Sequence, residues 1–156
     1  EASDPDGQPL TFTPNINMLA PNALRQAGVR VGKFEFSSGA GQELSNDYPL
    51  FRLGEIILAK SEAAFRQGKI AEAQDALDQV RGRAGLPVVP VSLDAIYDER
   101  GFEMFAEASR RTDMIRFGKF SQPWWEKGVS EDFRKLFPIP LQQINANPNL
   151  VQNPGY

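Results

Sequence analysis

The sequence predicts a mainly α chain of antiparallel helix pairs, with short β segments and an extended, ordered strap at the C-terminal end. Three observations point there. Residues 48–87 carry two apolar stripes at three- and four-residue steps, interrupted by a glycine turn. Residues 92–107 carry a further helical pattern in which carboxylates and aromatic residues alternate. From Leu136 onward, apolar residues are spaced among Asn and Pro, which excludes a long helix yet leaves something to bury.

Residues 1–45 read as a loop-rich region with short strands, and 46–156 as the helical region. Leu10-Thr11-Phe12-Thr13 has the composition of a short strand. Asp4-x-Asp6-Gly7 opens like a calcium loop, but the later ligands are missing, so a surface turn is the reading. Val29 to Phe36 alternates apolar and mostly polar residues, as a half-buried strand does. A Gly/Ser loop from Ser37 to Ser45 then leads to Asn46-Asp47, a cap for the first helix ahead of Pro49.

In that first helix Leu50, Leu53, Ile56, Ile57, Ala59, Ala63 and Ala64 form one broad stripe. Gln67-Gly68-Lys69 breaks it, Gly68 being able to take the left-handed backbone that ends a helix. A second helix resumes with Ile70, Ala73, Ala76, Leu77 and Val80, and stops at Gly85 and Pro87. The alanines allow close approach of two antiparallel helices. The segment from Ala64 to Ala73 resembles the turn of a tetratricopeptide repeat, although Ser61 stands where that repeat prefers Gly or Ala. One such pair cannot bury its apolar face alone and needs neighbours.

Val88-Val89-Pro90-Val91 is expected to be extended, because proline disfavours helix in the residue before it. Ser92 then caps a helix running through Glu107, with a kink or second short helix near Ser109 reaching Gly118. Glu99, Glu103 and Glu107 share one side with Ile96, while Tyr97, Phe102, Met104 and Phe105 fill most of the remainder. A helix so apolar is expected to be largely buried, and its carboxylates then need partners. Arg100, Arg110, Arg111 and Arg116 are the nearest cations, with Asp113 three residues from both Arg110 and Arg116. The expectation is a structural ionic network of Glu99, Arg100, Glu103, Glu107, Arg110, Asp113 and Arg116. The rival reading, a pair of glycosidase carboxylates, needs a raised pKa, and neighbouring arginines push the other way. No catalytic residue is expected.

Trp124 and Trp125 are the candidate glycan contacts, since indole faces and N–H groups suit a sugar's CH face and hydroxyls. The competing expectation is that at least one of them packs inward and closes the helical core.

Composition excludes several chemistries. The chain has no Cys and no His, which removes disulfides, thiolate nucleophiles and the commonest metal ligand, so neither metal nor cofactor is expected. Residues 1–48 hold 3 basic and 6 acidic side chains and residues 49–156 hold 14 of each, so no basic stripe for nucleic acid is present. Residue 1 is Glu within a polar, turn-rich stretch, read as part of a longer protein.

Four stretches together resemble the C-terminal part of SusD/RagB-type proteins. They are Asn46 to Leu53 with Glu55 and Ala59 to Ala64; Val80 to Pro87; Asp98-Glu99-Arg100 with Glu103, Glu107, Arg110, Asp113, Arg116 and Gly118; and Phe137 to Pro140 with Asn147 to Leu150 and Gln152 to Tyr156. The match covers 46–156, and 29–45 more loosely. Ala108, Ser109 and Thr112 depart from it, standing where the family usually shows Gly, His and an aromatic residue. The resemblance implies a non-catalytic, cell-surface glycan-binding lipoprotein of the Bacteroidetes outer membrane. Such a protein is anchored through an N-terminal Cys outside this chain. It delivers oligosaccharide to a SusC-like TonB-dependent transporter. The alternative is a helical-repeat module for protein–protein interaction.

Overall fold

Gly68 decides where the first helix pair turns. In the computed structural model, which describes residue 7 and residues 10–16, 23–34 and 44–156, Gly68 has φ +75° and its neighbour Lys69 donates to the Ala64 carbonyl at 2.9 Å. That geometry costs a glycine almost nothing. It ends α1 (Leu53–Arg66) and reverses the chain into α2 (Ile70–Arg83). The two helices lie against each other, and both meet α3 (Leu93–Glu103), which in turn meets α4 (Arg110–Arg116). A 3-10 turn (Asp132–Lys135) and α5 (Leu141–Ala146) follow. The chain is mainly helical. It divides into two compact units, Glu1–Tyr48 and Pro49–Tyr156.

The core of the second unit is Leu58, Leu77 and Val80, packed by Ile57, Val89, Val91 and Ala95. Leu58 lies outside the stripe expected from the sequence. Several members of that stripe face outward, Leu53 being 71% exposed and Leu50 and Ile56 also exposed. The physical reason is an approach of α2 about one residue further round the helix than the stripe suggests, led by Leu58, Ser61 and Ala64. Ser61 fits there because its hydroxyl donates to the Ala73 carbonyl at 2.7 Å, so no polar group is stranded at the closest approach.

Two other boundaries shift. α1 starts at Leu53 with extended Arg52 as its N-cap residue, and Asn46 and Asp47 do not cap it. α3 ends at Glu103 rather than Glu107, because Ala106 and Ala108 both take left-handed backbone, with φ 62° and 59°. Ser92 caps α3 as its residue type predicts, accepting from the Ala95 amide at 3.0 Å. Phe102 and Phe105 are exposed, so α3 is not buried on every side; its inner face is Ile96, Tyr97, Glu99 and Arg100.

In the first unit Thr13 forms an isolated parallel bridge with Ala27. Val29 and Val31 are exposed and residues 29–34 form no strand; no pairing partner lies beside them among the described residues. Phe36, the Asp4-Asp6 turn and most of the loop from Ser37 to Ser45 lie outside the described residues.

Extended segments that lack a strand partner are held by glutamine amides. Gln74 donates to the Val89 carbonyl at 2.9 Å and accepts from the Val91 amide at 2.7 Å. Gln152 does the same at Ile139, accepting from its amide at 2.8 Å and donating to its carbonyl at 2.9 Å. Asn153 and Tyr156 add bonds to the Phe137 and Leu136 carbonyls, and the Tyr156 ring meets Phe133 edge-on. The strap is therefore clasped largely by polar groups. Gln152→Ala should cost about 1–3 kcal/mol for the paired bonds lost and speed amide exchange at Ile139; unchanged exchange there would show that the clasp does not hold the segment.

Candidate functional site

The charged residues of α3 and the following turn are held chiefly by cations from earlier in the chain. Arg81, on α2, donates from its Nε to the Pro87 carbonyl at 2.8 Å and pairs through Nη1 with Glu99 at 2.5 Å. Arg52 lies between Glu103 and Glu107, bonding Glu103 by its carboxylate and main-chain carbonyl and Glu107 at 2.7 Å. Arg83 adds a second pair to Glu103 at 2.7 Å. Arg100 meets Asp113 at 2.9 Å and Glu55 at 3.6 Å. Arg116 bridges Glu62 and Asp113, and Arg66 reaches Glu62 from one turn along α1.

Of the seven residues expected to form one network, the structure joins Arg100, Asp113 and Arg116 directly. Glu99, Glu103 and Glu107 are each met by a different set of arginines from those near them in sequence. Arg110 is a correction: it donates to the Tyr97 carbonyl at 2.7 Å and lies 3.6 Å over the Tyr97 ring, rather than on Asp113. Arg111 donates to the carbonyls of Arg134 and Lys135 and lies over the rings of Phe120 and Phe137. Sequence reasoning missed Arg52, Arg81, Arg83, Glu55 and Glu62, since helix-to-helix pairs more than fifteen residues apart leave no spacing signal.

These pairings bear on chemistry. Burial would push the Glu62 carboxyl up, but hydrogen bonds from Arg116 and Arg66 outweigh it and hold it below the ordinary range. At Glu103 burial is likewise outweighed, by the hydrogen bond and charge of Arg52 and then by Arg83. Carboxylates held ionised suit a scaffold and not proton donation. A groove of about 580 Å³ beside α1 and the α3–α4 turn is lined by Glu55, Glu62, Arg66, Arg116 and Asp113 together with Ala59 and Ala63, with no aromatic residue in its wall among the described residues.

The α3–α4 turn holds two alanines in the left-handed region, where a side chain costs roughly 1 kcal/mol or more. Ala108→Gly should therefore raise stability by about 0.5–1 kcal/mol after the extra flexibility of the unfolded chain is counted. A urea melt would read it, and a loss of stability would show that the turn is not strained at that position.

Trp124 and Trp125 stand on a tight turn that follows α4 and take no part in these ion pairs. Trp124 and Lys127 exchange both main-chain bonds, at 3.1 and 2.9 Å, and Glu126 occupies the tip with φ 61°. Both indoles are about half exposed, 49% and 52%. The expectation that at least one packs inward is not met, because a turn closed by its own main-chain rung needs no aromatic anchor to hold it.

The sequence matches the model of the SusD family over residues 17–134 and 124–156. The chain belongs to the SusD family. The match reaches further toward the start than the motifs from Asn46 onward indicate. Starch-binding protein SusD of Bacteroides thetaiotaomicron is 34% identical over 146 residues, covering 83% of this chain and 26% of that protein. A solved laminarin-binding SusD-like protein is similar at 40% identity and TM-score 0.61, over 69% of this chain and 23% of its own. Surface glycan-binding protein A from Bacteroides thetaiotaomicron is similar at 32% identity and TM-score 0.60, over 71% of this chain and 25% of its own. This SusD-family chain thus spans about a quarter of the length of these relatives.

Proposed function

We propose that this chain is the helical part of a longer, non-catalytic oligosaccharide-binding protein. That protein sits lipid-anchored on the outer face of the outer membrane and passes glycan to a SusC-like TonB-dependent transporter. The observation that carries the reading is the likeness, in sequence and backbone together, to a laminarin-binding SusD-like protein at 40% identity. The arginine-held carboxylates of α1 and α3 support a scaffold role, with glycan contacts mainly outside the ion-paired face. Titration calorimetry of the full-length gene product against laminarin, starch, fructan and mannan oligosaccharides tests it. Saturable binding to one class is expected, with no reducing sugar released and the transporter recovered on gentle co-purification. Absence of binding across the set, or hydrolysis of any member, would overturn the reading.

A further inference from the structure

The turn Trp124-Trp125-Glu126-Lys127 gathers unused polar groups around two exposed indoles. Lys127 Nζ lies 4.2 Å over the Trp124 ring, fixed by bonds to the carbonyls of Gln122 at 3.1 Å and Gly128 at 3.0 Å. One face of Trp124 is thereby covered and its ring orientation set, while the residue as a whole stays half exposed. Among the described residues neither indole N–H donates a hydrogen bond, and the exposed Glu126 carboxylate accepts none. The turn needs no ligand to hold its shape, since Trp124 and Lys127 are joined by two main-chain bonds.

Flat apolar faces flanked by free N–H donors and a free carboxylate match a pyranose, whose CH face is apolar and whose rim carries hydroxyls. The opposite charges of Glu126 and Lys127 give no preference for an anion or cation. We infer that this turn is an accessory platform on which one or two sugar rings of the bound glycan stack, an inference that rests on the glycan-binding reading above.

The experiment uses the full-length protein with laminarihexaose and maltoheptaose as probes. Trp124→Ala and Trp125→Ala should each weaken binding of the recognised probe about five- to tenfold, while Trp125→Phe keeps most of it. In the unsubstituted protein, N-bromosuccinimide should oxidise Trp124 and Trp125, and saturating probe should protect them; mass spectrometry of peptides reads both, whether or not the alanine variants fold. Unchanged affinity in well-folded alanine variants, or indoles that resist oxidation without probe, would overturn the platform while leaving glycan binding standing. A full-length protein that binds neither probe nor any other glycan would overturn both readings at once.

Discussion

Arg81→Met is expected to destabilise the chain by about 3–5 kcal/mol, the loss that follows when one partner of a buried ion pair is removed. Glu99 is nearly sealed, its side chain 3% exposed, and Arg81 is the guanidinium that meets it among the described residues. The same side chain holds the Pro87 carbonyl, so the substitution also frees the entry to the extended segment between α2 and α3. Arg81→Met combined with Glu99→Leu should recover much of the loss, because the unpaired charge is then gone. Urea melts of the single and double variants decide it. A single variant within about 0.5 kcal/mol of the parent would mean that Glu99 reaches water, contrary to its burial.

Leu58→Ala should cost nearly as much, about 3–5 kcal/mol, since a fully buried leucine at the centre of a packed cluster leaves a cavity that cannot collapse. Leu53→Ala, five residues earlier and largely exposed, should change stability by less than about 0.5 kcal/mol. The two melts together test which face of α1 is the inner one. Equal losses at both positions would place the inner face where the sequence stripe put it.

That contrast marks how far the sequence could be read. The helix pair, its glycine turn and the serine cap of α3 depend on local chemistry, and Gly68 and Ser92 announce them. The phase of α1 was not legible, because apolar residues surround most of its first two turns and periodicity cannot choose among them. The end of α3 was missed because Met104 to Ala108 has no glycine or proline, although its backbone turns left-handed twice. In the charge cluster Glu99, Glu103, Glu107 and Asp113 were found, while Glu55, Glu62 and most of the arginine partners were not: the acids from Glu99 to Glu107 recur every four residues, whereas Arg52, Arg81 and Arg83 become neighbours only once three helices have packed. Trp124 and Trp125 were visible by residue type, but their exposure depends on a turn whose closure has no sequence signature beyond its length.

Glycine inside a helix normally counts as a weakness, yet Gly54 is a floor. A methyl group there would come within 2.5 Å of the Glu103 carboxylate and 2.8 Å of Arg52. Gly101 gives Arg110 the same clearance, at 2.8 Å. An ion pair that rests on bare backbone acts as a bolt through a keyhole. Filling that space would push the Glu103 carboxylate and the Arg52 guanidinium aside, so the pair keeps its place because Gly54 leaves room for it. The seat of this pair is thus a missing side chain, and a designer who filled Gly54 with alanine to gain helix propensity would shift the Glu103 carboxylate and the Arg52 guanidinium off it.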